Sequence, residues 1–324
     1  MTTVVVLDDY LHRAAELAEW TRLGPEVVVR FLHDPLAGDE LVGALEDAEV
    51  VVCMRERTAL PATSLARLER LRLVVTTGMA NASIDLDHLA ERGIPVSGTG
   101  GGGRRPGVST TTEVAWALIL ATTKRVGIDD RLVRRGGWHQ AFPRVLSGAT
   151  LGLLGLGRLG AEMVGPARAF GMEVVVWSEH LSDDRAAEVG AVRAPSLEEL
   201  LSAADVVSIH LRLSERTRGL LGRRELAVMK PSAVLVNTSR GPIVEEAALV
   251  EALASKRLAA AGLDVYDVEP LPAGHPLTTL DNAVLSPHLG YVSEEGFTEM
   301  YAQVVEDVGA FLAGHPIRVL DPGA

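Results

Sequence analysis

The stretch Thr150–Ser178, TLGLLGLGRLGAEMVGPARAFGMEVVVWS, constrains the fold more than any other part of the chain. Leu151–Leu154 is apolar and long enough for a buried strand. Gly155, Gly157 and Gly160 follow in G-x-G-x-x-G spacing, and a helical segment then leads to a second apolar run, Glu173–Trp177. Strand, glycine turn, helix and strand in that order give the triplet its weight. The first glycine permits a tight turn, the second lets backbone approach a pyrophosphate, and the third lets the helix pack close to the strand. The free N–H groups at the helix start then face the anion. Pro166 falls about two turns into this helix and should kink it.

A second match, Gly98, Gly100 and Gly103, shows how little the bare pattern says, because Arg104, Arg105 and Pro106 follow before any helix can begin. That run reads as a flexible connection and a hinge between two domains.

Short β-branched or leucine-rich runs at Val4–Leu7, Val27–Leu32, Val50–Met54 and Leu73–Thr76 alternate with helical patterns such as His12–Leu23 and Gly38–Glu46, and a fifth strand follows Gly93. That alternation predicts parallel βαβ units. Ser109–Arg125 reads as a long helix with a Ser or Thr cap, and Ser196-Leu197-Glu198-Glu199 as a capping box. Further strands are expected at Asp205–His210, Ala233–Asn237, Ala259–Asp264 and Ala283–Ser286. Each ends in polar residues: His210, Asn237-Thr238-Ser239-Arg240, Asp264 and Pro287-His288. In open parallel sheets ligands bind at the carboxyl ends of strands, so these ends should converge on one crevice. A last helix, about Ser293–Leu312, leads to Val319-Leu320.

The chain has 324 residues, enough for two domains, and 47% are hydrophobic, which excludes a disordered chain. No apolar stretch approaches a membrane span. The N-terminus starts with a strand-like run and lacks the basic region and cleavage site of a signal peptide, so a cytoplasmic protein is expected. The single cysteine, Cys53, fits a reducing compartment and reads as a buried structural thiol. The formal net charge of −12 argues against nucleic acid as a partner. No metal site is assigned.

Four stretches resemble the D-isomer-specific 2-hydroxyacid dehydrogenases: Leu154-Gly155-Leu156-Gly157-Arg158-Leu159-Gly160, Met229-Lys230-Pro231 through Arg240-Gly241, Leu263-Asp264-Val265 through Glu269-Pro270, and Ser286-Pro287-His288. The resemblance implies an α/β fold of two Rossmann-like, doubly wound parallel-sheet domains. Residues 1–100 plus 290–324 would form a substrate domain, with a dinucleotide-binding domain, 101–289, inserted into it. It implies a homodimer made through the Ser109–Arg125 helix and the loop around Trp138. It also implies reduction of a small 2-oxo acid, such as glyoxylate or hydroxypyruvate, to the D-2-hydroxy acid. The family's catalytic arginine falls on Arg240, its glutamate on Glu269 and its acid–base histidine on His288.

The chemistry asks for those groups on its own terms. Hydride delivery to a carbonyl carbon builds negative charge on the oxygen, and histidine, with an ordinary pKa of about 6.5, is the natural acid near neutral pH. A carboxylate behind it favours the imidazolium. An arginine fork orients a substrate carboxylate through paired hydrogen bonds.

Cofactor contacts are expected at Gly155, Gly157, Arg158, Leu159, Gly160, Ser178, Glu179, Thr217, Thr238, Asp264 and Gly290. His210 either lines the same cleft or caps its strand. An acidic residue about 20 residues past the glycines selects NAD by holding the ribose hydroxyls. Ser178-Glu179 stands there, and a carboxylate would repel a 2′-phosphate, which favours NAD and leaves NADP as the alternative. For the substrate, the resemblance points to Met79 and Ala80, in a turn where Ala80 replaces the family's usual second glycine, together with Arg240 and His288. Arg55 and Arg57 either add a second anion subsite or form a solvated basic surface. Two readings compete with the reductase: a phosphite-oxidising relative, and a nucleotide-sensing corepressor-like interaction protein.

Overall fold

The computed structural model describes residues 1–100 and 109–321, so the Arg104-Arg105 hinge lies outside the described residues. The chain divides into two compact units, Met1–Arg104 with Ser293–Ala324, and Arg105–Val292. The second unit is thus inserted into the first along the chain.

Unit 1 holds five parallel strands: β1 (Thr2–Val6), β2 (Val27–Phe31), β3 (Val50–Cys53), β4 (Leu73–Thr76) and β5 (Val96–Gly98), in the order β2-β1-β3-β4-β5. β3 and β4 are buried at every residue, as expected of central strands covered on both faces. One face packs Leu41, Leu45, Leu65 and Leu89 over Val5, Val51 and Val74. The helix Glu294–Leu312 packs near β4 and β5, burying Phe297, Met300, Tyr301, Val304 and Val308. The chain then runs back along the sheet edge, where Val319 bridges Ser97 in antiparallel register. Cys53 is buried, and burial pushes its thiol well above the ordinary range, so it is inert.

The helix expected over His12–Leu23 is a correction. The chain forms only Ala14–Leu17 and a 3₁₀ turn, Trp20–Leu23, with Ala18 extended between them. The break lets Trp20 turn into the core. Its Nε1–H donates to Ala14 O (2.8 Å) and its ring meets Phe31 edge-on. Burying an indole with its N–H satisfied outweighs the few hydrogen bonds of a continuous short helix.

Unit 2 holds seven parallel strands: β6 (Thr150–Leu154), β7 (Glu173–Trp177), β8 (Val192–Arg193), β9 (Val206–Ile209), β10 (Val234–Asn237), β11 (Ala260–Leu263) and β12 (Ala283–Leu285). Their order is β12-β11-β10-β9-β6-β7-β8. β8 is a two-residue edge strand that alternation in the sequence does not reveal. Strand order reverses between β6 and β9, which opens a crevice at their carboxyl ends. The Thr110–Thr123 helix lies against β10 to β12, and Gly262 allows it close, since a Cβ there would come within 2.9 Å of Leu118 Cβ. Around Pro166 the segment divides into Arg158–Glu162 and Val164–Ala169. Proline has no N–H to give the Glu162 carbonyl four residues back, so the ladder parts there.

Candidate active site

The turn after β6 is built on the backbone. Gly155 sits at φ +99°, and a Cβ there would lie 2.7 Å from the His210 carbonyl oxygen. A Cβ on Gly160 would lie 2.2 Å from the Gly155 oxygen, an overlap that no rotamer relieves. Around Gly157, by contrast, a Cβ would meet nothing within 4 Å. Two glycines are therefore required by packing and the third faces open space, which a diphosphate can approach. The helix that follows is anchored by Glu162. Its carboxylate accepts from Ser109 N (2.9 Å), Ser109 Oγ (2.6 Å), Thr112 Oγ1 (2.8 Å) and Arg158 Nη1 (2.7 Å). Burial alone would raise its pKa, but these donors together hold it below the usual carboxylate range.

Along the same edge, His210 follows β9 with Nε2 2.9 Å from Ser208 Oγ. Burial lowers its pKa to about 4, with Glu162 pulling weakly the other way, so the ring is neutral at physiological pH. Thr238 follows β10 and is 7% exposed, yet its Oγ1 has no hydrogen-bond partner among the described residues. A buried hydroxyl left without a partner is costly, and a bound group in the crevice would satisfy it. With the cradle around Gly157, this hydroxyl fits a dinucleotide.

Asp264, after β11, is fully buried. Oδ1 accepts from Ser286 Oγ (2.5 Å) and Leu289 N (2.8 Å), and Oδ2 from Gly290 N (2.8 Å). Gly290 O accepts from Thr111 Oγ1 at 2.5 Å. Asp264 thus clamps the loop after β12 on both sides of His288, which sits at φ +55° in the left-handed region. A non-glycine residue held there is costly and persists only where its surroundings enforce it.

The charged residues meet at the ends of β10, β11 and β12, whose residues Asn237, Leu263 and Leu285 are aligned in register. His288 Nδ1–H donates to Glu269 Oε2 at 2.5 Å, and Tyr266 N donates to Glu269 Oε1 at 2.9 Å. Both oxygens of the carboxylate are thus held. Tyr266 Oη donates to the carbonyls of Leu263 (3.1 Å) and Ser286 (2.9 Å), tying the two loops together. Burial raises the Tyr266 phenol above its ordinary value, so it remains a donor. Gly241 brings the arginine loop alongside: a Cβ there would lie 2.1 Å from the Tyr266 carbonyl carbon. Arg240 precedes it, with Nη1 donating to Ser239 O at 2.8 Å.

The remaining expected residues are placed as follows. Ser178 and Glu179 follow β7, and Glu179 pairs with Arg216, a residue the sequence reading passed over. Thr217 Oγ1 donates to Arg212 O (2.7 Å) and accepts from Ser214 N (2.8 Å), closing a turn. In unit 1, Arg55 sits at φ +53° after β3 and its guanidinium lies against Gly78, where a Cβ would come within 2.5 Å of Nη1. Met79 and Ala80 are exposed, while Asn81 beneath them is buried, donating to Arg55 O (2.6 Å) and Thr76 Oγ1 (2.9 Å). No helix among the described residues is long and apolar enough to cross a membrane.

Residues 116–290 match the family described as D-isomer specific 2-hydroxyacid dehydrogenase, NAD binding domain. A glyoxylate reductase of Aeropyrum pernix is 41% identical over 261 residues, 77% of this chain and 76% of the relative. A D-3-phosphoglycerate dehydrogenase of Archaeoglobus fulgidus is 33% identical over 285 residues, 87% of this chain but 53% of that longer relative. Among solved structures, a phosphoglycerate oxidoreductase from Vibrio cholerae is 32% identical, superposes with a TM-score of 0.89, and is matched over 97% of this chain and 100% of that one.

Proposed function

The chain belongs to the D-isomer-specific 2-hydroxyacid dehydrogenase family of NAD(P)-dependent oxidoreductases, and from that premise we propose that it reduces a small 2-oxo acid to the D-2-hydroxy acid, reversibly, with His288 as proton donor. The observation that carries the reading is the 2.5 Å pair of His288 Nδ1 with Glu269 Oε2, on a loop that Asp264 clamps. When bound, the nicotinamide supplies the hydride that adds to the carbonyl carbon. His288 Nε2 gives its proton to the carbonyl oxygen, so the product carries one new C–H and one new O–H. Glu269 stabilises the charged ring before transfer and keeps Nε2 aimed. Arg240 holds the substrate carboxylate as a bidentate partner. The reading is tested by loss of reduced-cofactor absorbance across a panel of 2-oxo acids. Turnover is expected with at least one of them, and turnover with none contradicts the proposal.

For the substrate itself, the names of the relatives span a monoanion and a phosphorylated acid. Arg55, at φ +53° after β3, and Arg57, over the Tyr10 ring 4.7 Å from its centre, are the candidates for a second anion subsite, against the alternative of a solvated basic surface. Arg55→Ala is expected to erode discrimination between dianionic and monoanionic 2-oxo acids, and unchanged discrimination excludes the role.

The partner we propose is a second copy of the chain. Val126, Val133, Trp138, Phe142 and Val145 are all more than half exposed along one stretch, with Phe142 at 97%. Large apolar side chains clustered in this way mark an interface. Phe142→Asp should shift the mass measured by light scattering from dimer to monomer, and a monomeric unsubstituted protein would refute the assignment.

A further inference from the structure

The carboxylate after β7 is not alone. Glu179 is the residue expected from the sequence to meet the cofactor ribose, and the Arg216 guanidinium, from the turn after β9, is in direct ion-pair contact with it. His180 Nε2 lies 3.4 Å from the same guanidinium. Residues 179 and 216 are 37 positions apart, so the pairing is a tertiary feature absent from any local motif. A ribose-binding carboxylate that selects NAD keeps its oxygens for the two hydroxyls and repels a 2′-phosphate. Here part of that capacity is taken up by a cation. Both side chains are largely solvated, 55% exposed for Glu179 and 66% for Arg216. An exposed pair of this kind is weak, so its partners can exchange at little cost.

We infer that the Glu179–Arg216 pair sets the choice of cofactor, with Arg216 the cation that accepts the 2′-phosphate of NADP(H) and Glu179 its competitor, so that the chain uses both NAD(H) and NADP(H). An arginine fork takes a phosphate through two charge-assisted hydrogen bonds, each stronger than the exposed pair it replaces. This inference rests on placing the ribose beside Ser178 and Glu179.

The test is equilibrium binding without any 2-oxo acid. Kd is measured for NADH and NADPH by fluorescence titration, and for 5′-AMP and 2′,5′-ADP by calorimetry. Wild type, Glu179→Gln, Arg216→Ala and the double variant are compared. Both sites lie on the surface, so the variants should fold, and a melting curve checks this. Glu179→Gln should lower the NADPH/NADH Kd ratio about tenfold, and Arg216→Ala should raise it about tenfold or more. The double variant should lose the gain made by Glu179→Gln. If Glu179→Gln shifts the ratio equally with and without Arg216, the inference is overturned while the ribose placement stands. If neither substitution moves any of the four constants, both are overturned.

Discussion

The carboxyl edge of the seven-stranded sheet falls into two halves built by opposite means. On the β6–β9 side the working parts are backbone and missing side chains: Gly155 and Gly160, where a Cβ would strike a carbonyl oxygen, and Gly157, where it would meet nothing. On the β10–β12 side they are charged side chains on clamped loops, with Glu269 held at both oxygens and His288 in a left-handed conformation. Each half also has a histidine, and their surroundings differ in kind. His210 is held neutral by burial, whereas His288 has a carboxylate behind it. A surface that holds a large ligand needs shape, and a surface that moves a proton needs placed charge.

The largest effect should come from filling the backbone half. Gly160→Ala places a methyl 2.2 Å from the Gly155 oxygen, so the turn must open. A fall in NADH affinity of about 100-fold or more, with lowered stability, is expected from such overpacking. Affinity within threefold of wild type would show that the turn does not carry cofactor binding. In the charged half, Arg240→Gln should lower kcat/KM for the 2-oxo acid by about 100-fold while NADH affinity holds, reflecting a lost charge-assisted pair. A loss of NADH binding instead would erase the division between the halves.

A smaller effect concerns the neutral histidine. Because the folded-state pKa of His210 is depressed to about 4, from an ordinary 6.5, the folded state resists its protonation. The stability tied to this is complete above about pH 6.5 and is lost as pH falls toward 4, on the order of 3 kcal/mol. Chemical denaturation across that range should show a shallower fall in His210→Gln than in wild type. Identical slopes would mean that the ring is not desolvated.

Much of this architecture is legible in the sequence because it depends on local requirements. A glycine forced by a carbonyl oxygen, or a polar residue ending an apolar run, marks its own place, so the turn at 155–160 and the strand ends at 210, 237–240, 264 and 288 can be read directly. What escapes is tertiary. The Glu162 network ties residue 162 to residues 109 and 112, the Asp264 clamp reaches across to residues 286–290, and the Glu179–Arg216 pair joins two separate turns. The orphan hydroxyl of Thr238 is visible only once its surroundings are known. The misread helix at His12–Leu23 has the same cause: helical periodicity there is sound locally, but Trp20 gains more by entering the core.

The central claim is that His288, backed by Glu269, supplies the proton while the glycine side holds the cofactor independently. Single-turnover reduction with saturating 2-oxo acid and prebound NADH, in wild type and His288→Gln, tests it most directly. The account predicts a rate lower by about 10²–10⁴ with NADH affinity within threefold of wild type. A rate within tenfold of wild type would contradict it.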